Sequence, residues 1–307
     1  MEANQYAFKD LVCGMSALFL SSPDSDLLSL RWREDPERVA DHSLIRRFVS
    51  IVLGMDERHS RATIVSMAVI ASATATLLHE GVGHGVVAWL RGDIPTELTS
   101  NHLDTLRPDR LVYAGGTLVN LLAGAVSLML SRRQAGDANR KYFLWLLGAF
   151  NLLPGAGYFL FSGIFNFGDW AEVVRGLPHA GLIRIAMVLF GAVLYVFCVR
   201  MLAVAVRPFI RDDSMYNTVG RLPYYAACVF ECVAGAFDPL GLQLFFLSTV
   251  AAAFGGSSGL MWADSLLPRD APKQLLWVQP SRWWLGAAVS LGLMYVVVLG
   301  RGVRLSR

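Results

Sequence analysis

Long apolar runs separated by short polar breaks dominate the chain. A helix needs about 20 mostly apolar residues to cross a bilayer. Five stretches meet that length: 62–90, 111–131, 142–164, 181–206 and 283–300. A further stretch, 222–263, is too long for one simple span. It carries Glu231, Asp238-Pro239 and Gly255-Gly256-Ser257-Ser258-Gly259, so it reads as two short helices or as one helix with a re-entrant piece. Backbone inside hydrocarbon has to satisfy its own hydrogen bonds, which makes helices the default. The expected fold is therefore all-α, a polytopic transmembrane bundle of about 6 spans.

Residues 1–61 break the pattern. Val39, Leu44, Phe48, Ile51 and Leu53 recur at helical spacing among Asp35, Glu37, Asp41, Arg46 and Arg47, an amphipathic arrangement. The apolar run from Leu11 to Leu20 is too short to span, and no small-x-small cleavage site follows it. The chain thus divides into a soluble or membrane-surface helical extension (1–61), a core (62–180) and additional transmembrane helices (181–307).

Composition agrees. The chain is 54% hydrophobic and 17% charged, with mean hydropathy +0.46. Soluble domains carry about 25% charge. The deficit excludes a disordered chain, a nucleic-acid-binding domain and an ordinary cytosolic enzyme. Four cysteines, Cys13, Cys198, Cys228 and Cys232, form no disulfide framework or zinc spacing. The net charge of +3 matters through its placement. Arg132, Arg133, Arg140, Lys141, Arg207, Arg211, Arg221 and the tail arginines 301, 304 and 307 fall in one set of loops. Arg91, Arg107, Arg110, Arg175, Arg269, Lys273 and Arg282 fall in the other. The positive-inside rule puts the first set, with the N-terminus, in the cytoplasm.

One motif carries chemistry. The first span ends in His79-Glu80-Gly81-Val82-Gly83-His84. Ionisable groups inside a membrane are costly and mark function by default. The order His-Glu-spacer-His is that of zinc hydrolases, two imidazole ligands beside a carboxylate base. The usual spacing is i,i+4, whereas here it is i,i+5, which turns the second imidazole roughly 140° around a regular helix. A π-bulge would bring both onto one face, and Gly81, Gly83 and Gly85 make that distortion easy. Elsewhere, Glu231 is a lone acid among apolar residues, fitting either a wet cavity or a membrane boundary. His102 falls on the same side as the motif.

Three segments together resemble the site-2 protease family of intramembrane zinc metalloproteases. These are His79-Glu80…Gly83-His84, then Ala114-Gly115-Gly116-Thr117-Leu118-Val119-Asn120, then Phe150-Asn151-Leu152-Leu153-Pro154. The second is similar to that family's Ala-Gly-Pro-x-x-Asn helix start, with Gly116 in the proline's place. The third is similar to its Asn-x-x-Pro segment, where a following Asp-Gly supplies the third ligand. No Asp-Gly follows closely here; the next acid is Asp169, with Glu172 as the alternative. The extended His-Glu-x-x-x-His spacing is similar to that of the dipeptidyl peptidase III family, which implies that such spacing can bind zinc.

The resemblance implies a membrane-embedded zinc metallopeptidase that cleaves membrane-protein substrates within or next to the bilayer. His79, His84 and Asp169 would hold Zn²⁺, Glu80 would be the general base, and Asn151 or Asn120 would donate to the substrate backbone or oxyanion. A multi-pass protein of a bacterial cytoplasmic membrane is the expected setting, with lipid and a membrane-protein substrate as partners and no nucleic acid. The alternative is a non-catalytic metal-binding scaffold related to such proteases, against which the presence of Glu80 speaks. Charge bias places the site on the extracytoplasmic side, and the family resemblance places it nearer the cytoplasm.

Overall fold

The computed structural model describes residues 59–239, 241, 245–272 and 274–306. The extension expected over 1–61 lies almost wholly outside the described residues. Among these, five helices are long and apolar enough to cross a membrane. They are α1 (Arg61–Leu90), α2 (Arg110–Arg133), α3 (Ala138–Phe165), α5 (Ala180–Phe209) and α7 (Arg282–Leu299). A short helix, α4 (Asp169–Val174), joins α3 to α5. The expected spans differ from these bounds by only a few residues at each end. The chain is a multi-pass, all-α membrane protein.

The stretch 222–263 resolves into two short helices. One is α6 (Leu222–Gly235) and the other a π-helical segment, Phe245–Gly256. Together they return the chain to the end of the bundle it left. Arg221 donates to Asp264 at 2.5 Å, and Tyr216, just before α6, donates to the carbonyl of Leu260 at 2.7 Å. This corrects the expected placement of the basic residues. Arg269 and Arg282 share an end with Arg132, Arg140 and Arg207, tied there by Arg207 to Pro268 O and by Ser60 N to Val278 O. Arg301 and Arg304 belong to the opposite end. The hydropathy of 222–263 fixes its apolar character but not whether it crosses once or doubles back.

At that opposite end lie the strands found among the described residues. β1 (Pro95–Leu98) pairs antiparallel with both β2 (Leu103–Thr105) and β3 (Val303–Arg304), in the order β2-β1-β3. Leu305 N also reaches Thr96 O at 2.8 Å, so the tail is stitched onto the hairpin between α1 and α2.

The core lies where α1, α3 and α5 meet, around Ile64, Met67, Tyr142, Trp145, Leu153 and Leu202. Its aromatic residues bury their polar ends with partners, as buried Tyr and Trp require. Tyr142 donates to Val219 O at 2.7 Å and Trp145 Nε1 to Leu202 O at 3.0 Å. Large apolar side chains stay exposed outward, among them Leu182, Ile185, Leu189 and Val193 on α5 and Trp283 and Leu293 on α7. An outward apolar surface of this extent is what a lipid environment covers.

Candidate metal centre

The expected distortion of α1 is present. Regular helix runs to Leu77, π-helix covers Leu78–Val86, and α-helix resumes at Val87. The two imidazoles consequently face each other, with centroids 4.9 Å apart and planes at 84°. His79, Glu80 and His84 are 5%, 6% and 6% exposed. Three ionisable groups are thus withdrawn from solvent within one and a half turns of a membrane helix, an arrangement that needs a specific partner.

Asp169 is that partner. Its Oδ2 lies 3.2 Å from His79 Nε2 and 3.4 Å from His84 Nε2. The chain reaches this point through two left-handed turns. Asn166 (φ 53°) closes α3, and Gly168 (φ 82°, ψ −174°) starts α4. The Gly168 conformation is essentially restricted to glycine, and it turns Asp169 back toward the imidazoles. Burial pushes the Asp169 carboxyl up, but His84 and then His79 outweigh it and hold the pKa below the usual range. Glu172, the alternative, is engaged by Arg175 at 2.5 Å on the exposed side of α4.

The residues fit a metal ion. One donor atom each from His79, His84 and Asp169 lies within 4.8 Å of the others. His79 Nε2 and Asp169 Oδ2 are buried and complete no hydrogen bond. His84 Nδ1 is 2.7 Å from Val112 O. A carbonyl accepts only, so Nδ1 carries the proton and the Nε2 lone pair is left for a metal, the outer-shell arrangement of metal-ligating histidines. Glu80 Oε2 lies 4.0 Å from His84 Nε2, beside the donor triangle rather than in it.

Glycines on α2 make the close approach feasible. A Cβ on Gly83 would sit 2.4 Å from Gly116 Cα, and one on Gly115 would sit 2.0 Å from Gly83 O, so the two backbones touch. Small residues permit such helix contacts in membranes. A Cβ on Gly116 would instead meet His79 Nε2 and His84 Nε2, both at 2.6 Å. The two substitutions should separate. Gly116→Ala should keep the fold and lose the metal, read by elemental analysis. Gly83→Ala should lower stability by at least the roughly 1–3 kcal/mol of an overpacked core, read as a drop in unfolding temperature.

The remaining expected residues are placed differently. Asn120 is buried beside the motif, and its Oδ1 has no partner. It lines a chamber of about 110 Å³ together with His79, Glu80, Thr76 and Glu231. Asn151 is not brought to the site. It is fully buried and donates Nδ2–H to Leu147 O, 2.7 Å away on its own helix. Glu231 proves to be in the chamber, accepting from Ser72, from Thr76 at 3.4 Å and from Tyr295 at 3.3 Å.

A residue the motif reading passed over is Tyr158, stacked on His79 with centroids 5.1 Å apart and planes at 24°. It lies four residues after Pro154, one turn further along the same face of α3, and that spacing is the signal that could have found it. A larger cavity of about 530 Å³ adjoins the site, sharing Glu80 and Tyr158 with the chamber. Glu80, His84, Asp169 and Tyr158 form its polar floor, and Phe161 and Phe165 contribute to its walls.

Compared with family models, curated protein sequences and solved structures, the chain matches none.

Proposed function

We propose that the protein is a membrane-embedded zinc metallopeptidase that cleaves peptide bonds of membrane-protein substrates within or next to the bilayer. The reading rests above all on one observation: two buried imidazole nitrogens and one carboxylate oxygen converge, with Glu80 at their edge. Two histidines and a carboxylate that leave a position open are the donor set of catalytic zinc sites. Zn²⁺ held there would supply Lewis acidity, polarising a carbonyl and acidifying a water.

The chain's own residues supply the rest. The Glu80 carboxylate takes a proton from the attacking water and passes it to the leaving amine. Val112 O, through His84 Nδ1, and the Tyr158 ring, stacked on His79, fix the two imidazoles. Asn120 lines the chamber beside Glu80 and is assigned the donor to a substrate carbonyl reaching in past Glu80, which lines both spaces. The larger cavity, walled by aromatic residues, receives an apolar segment. The chamber is roomy enough for water, which needs about 10–15 Å³ of such space per molecule and two to four polar partners, here offered by side chains such as Thr76, Glu80, Asn120 and Glu231.

With the tail reassigned, Arg132, Arg133, Arg140, Lys141, Arg207, Arg211, Arg221, Arg269 and Arg282 share the end opposite the site. Arg91, Arg107, Arg110, Arg175, Arg301 and Arg304 share the site's end. By the positive-inside rule the site then faces away from the cytoplasm. The test is cleavage of a fluorogenic peptide carrying an apolar helix, by protein in detergent or bilayer discs. Activity should vanish with a chelator and return with Zn²⁺. Activity that persists after complete metal removal would end the reading.

A further inference from the structure

We propose that the small sheet carries a second divalent-cation site, built by Glu97, His102 and Asp104, with Asp238 behind the histidine. It uses none of the residues of the first site and stands whether or not the protein is a peptidase.

The register of the hairpin provides the first observation. Glu97 of β1 sits directly across from Asp104 of β2. Like charges at directly opposed positions destabilise a strand pair. Arg304 lies across from Glu97 on the other side, in β3, yet among the described residues it forms no ion pair with either acid. One donor atom each from Glu97, His102 and Asp104 lies within 4.8 Å of the others.

The histidine provides the second. Its Nε2 is buried, has no hydrogen-bond partner and lies 3.8 Å from Asp104 Oδ2. Its Nδ1 faces Asp238 Oδ2 at 3.5 Å and Thr99 Oγ1 at 3.0 Å. The Asp238 carboxylate is wholly buried and is held by Asn101 Nδ2 at 3.0 Å. A carboxylate on Nδ1 keeps the proton there and directs the Nε2 lone pair toward Glu97 and Asp104, the carboxylate–histidine–metal arrangement. The C-terminal turn closes over Glu97. The Cβ position of Gly302 lies 2.7 Å from Glu97 Oε1, and its φ of 79° is the backbone conformation that favours glycine in this turn.

One imidazole and two carboxylates, with room left for water, suit a borderline divalent cation such as Zn²⁺ or Co²⁺ better than Ca²⁺, which takes six to eight oxygens. Asp104 is 57% exposed at its side chain, so the ion exchanges with solvent, unlike one held at the buried first site. His102 and Asp104 also line the larger cavity that His84 and Glu80 enter. An ion there would pin β1 and β2, and through Asp238 the turn after α6, along that cavity's wall.

The experiment uses the full-length protein carrying His79→Ala and His84→Ala, titrated with Co²⁺ and followed by its visible absorption and by equilibrium dialysis. One equivalent should bind. Adding His102→Ala should abolish binding, adding Asp104→Asn should weaken it more than 10-fold, and adding Asp238→Asn should weaken it about 10–100-fold, as for an outer-shell partner. No binding, or binding unchanged by His102→Ala, overturns the proposal. Should the double-alanine protein fail to fold, His102→Ala alone should lower the Zn²⁺ stoichiometry of the otherwise native protein from two to one. An unchanged stoichiometry there would equally overturn it. The equivalent that depends on His79 and His84 is counted separately, so either site can fail without the other.

Discussion

Glu80→Gln protein should retain its full complement of zinc and lose peptide cleavage by about 10²–10⁴-fold, the usual worth of a positioned general base. Glutamine preserves the size and hydrogen-bonding outline of the side chain and removes only its capacity to take a proton. Glu80 is 6% exposed and lies 4.0 Å from His84 Nε2, outside the triangle of donor atoms. Its carboxylate is therefore at hand for a water at the site and not needed to hold the ion. Two readouts taken together decide the role. Loss of metal as well as activity would make Glu80 a ligand. Full activity with metal retained would remove Glu80 as the base, whereas zinc binding with no cleavage by the native protein would end the peptidase reading and leave the metal-binding scaffold as the account of the site. The loss should appear in kcat, because the side chain acts on the chemical step rather than on substrate capture.

Much of this site was legible from the chain because its constraints are local or topological. Two histidines at i,i+5 cannot share a ligand on a regular helix, so the spacing itself demanded the π-helix found over Leu78–Val86. Asp169 was the next acid after the Asn-Leu-Leu-Pro segment, with Glu172 as the alternative, and topology agrees with it, since two crossings bring the end of α3 back to the end of α1. Residues set by packing were harder to read. Asn151 shares its segment with Pro154, but its amide turns back to Leu147 O, a choice made by the crowded contact between α2 and α3. The Ala-Gly-Gly run was legible only as family likeness. It serves packing at Gly115 and clearance for the imidazoles at Gly116. The sheet depends on pairing a two-residue strand at the tail with a hairpin some 200 positions earlier, which no local pattern encodes. The tail's side was misplaced for the same reason. Whether 222–263 crosses once or doubles back depends on contacts such as Arg221–Asp264, while hydropathy records only that the stretch is apolar.

Asp169→Asn should release the metal from the first site, with an affinity loss exceeding the roughly 10–100-fold that removal of an outer-shell partner produces. The substitution keeps the shape of the side chain and removes the charge that faces both Nε2 atoms. The imidazoles would remain on one face, because the π-helix and the Val112 carbonyl hold them independently of α4. The comparison that assigns the third ligand is Glu172→Gln. Glu172 pairs with Arg175 and does not join the triangle, so its variant should bind zinc as the native protein does. The reverse result, with zinc lost in Glu172→Gln and kept in Asp169→Asn, would exchange the two roles. Gly168→Ala tests the backbone route to the same group. The added Cβ has ordinary room, 3.5 Å from Ser162 Oγ, but the glycine-only backbone angles would be strained by about 1–3 kcal/mol. Relief of that strain moves Asp169 away from the imidazoles. Zinc affinity should therefore fall in Gly168→Ala even though every ligand is present, which separates a site defined by composition from one defined by the position of α4.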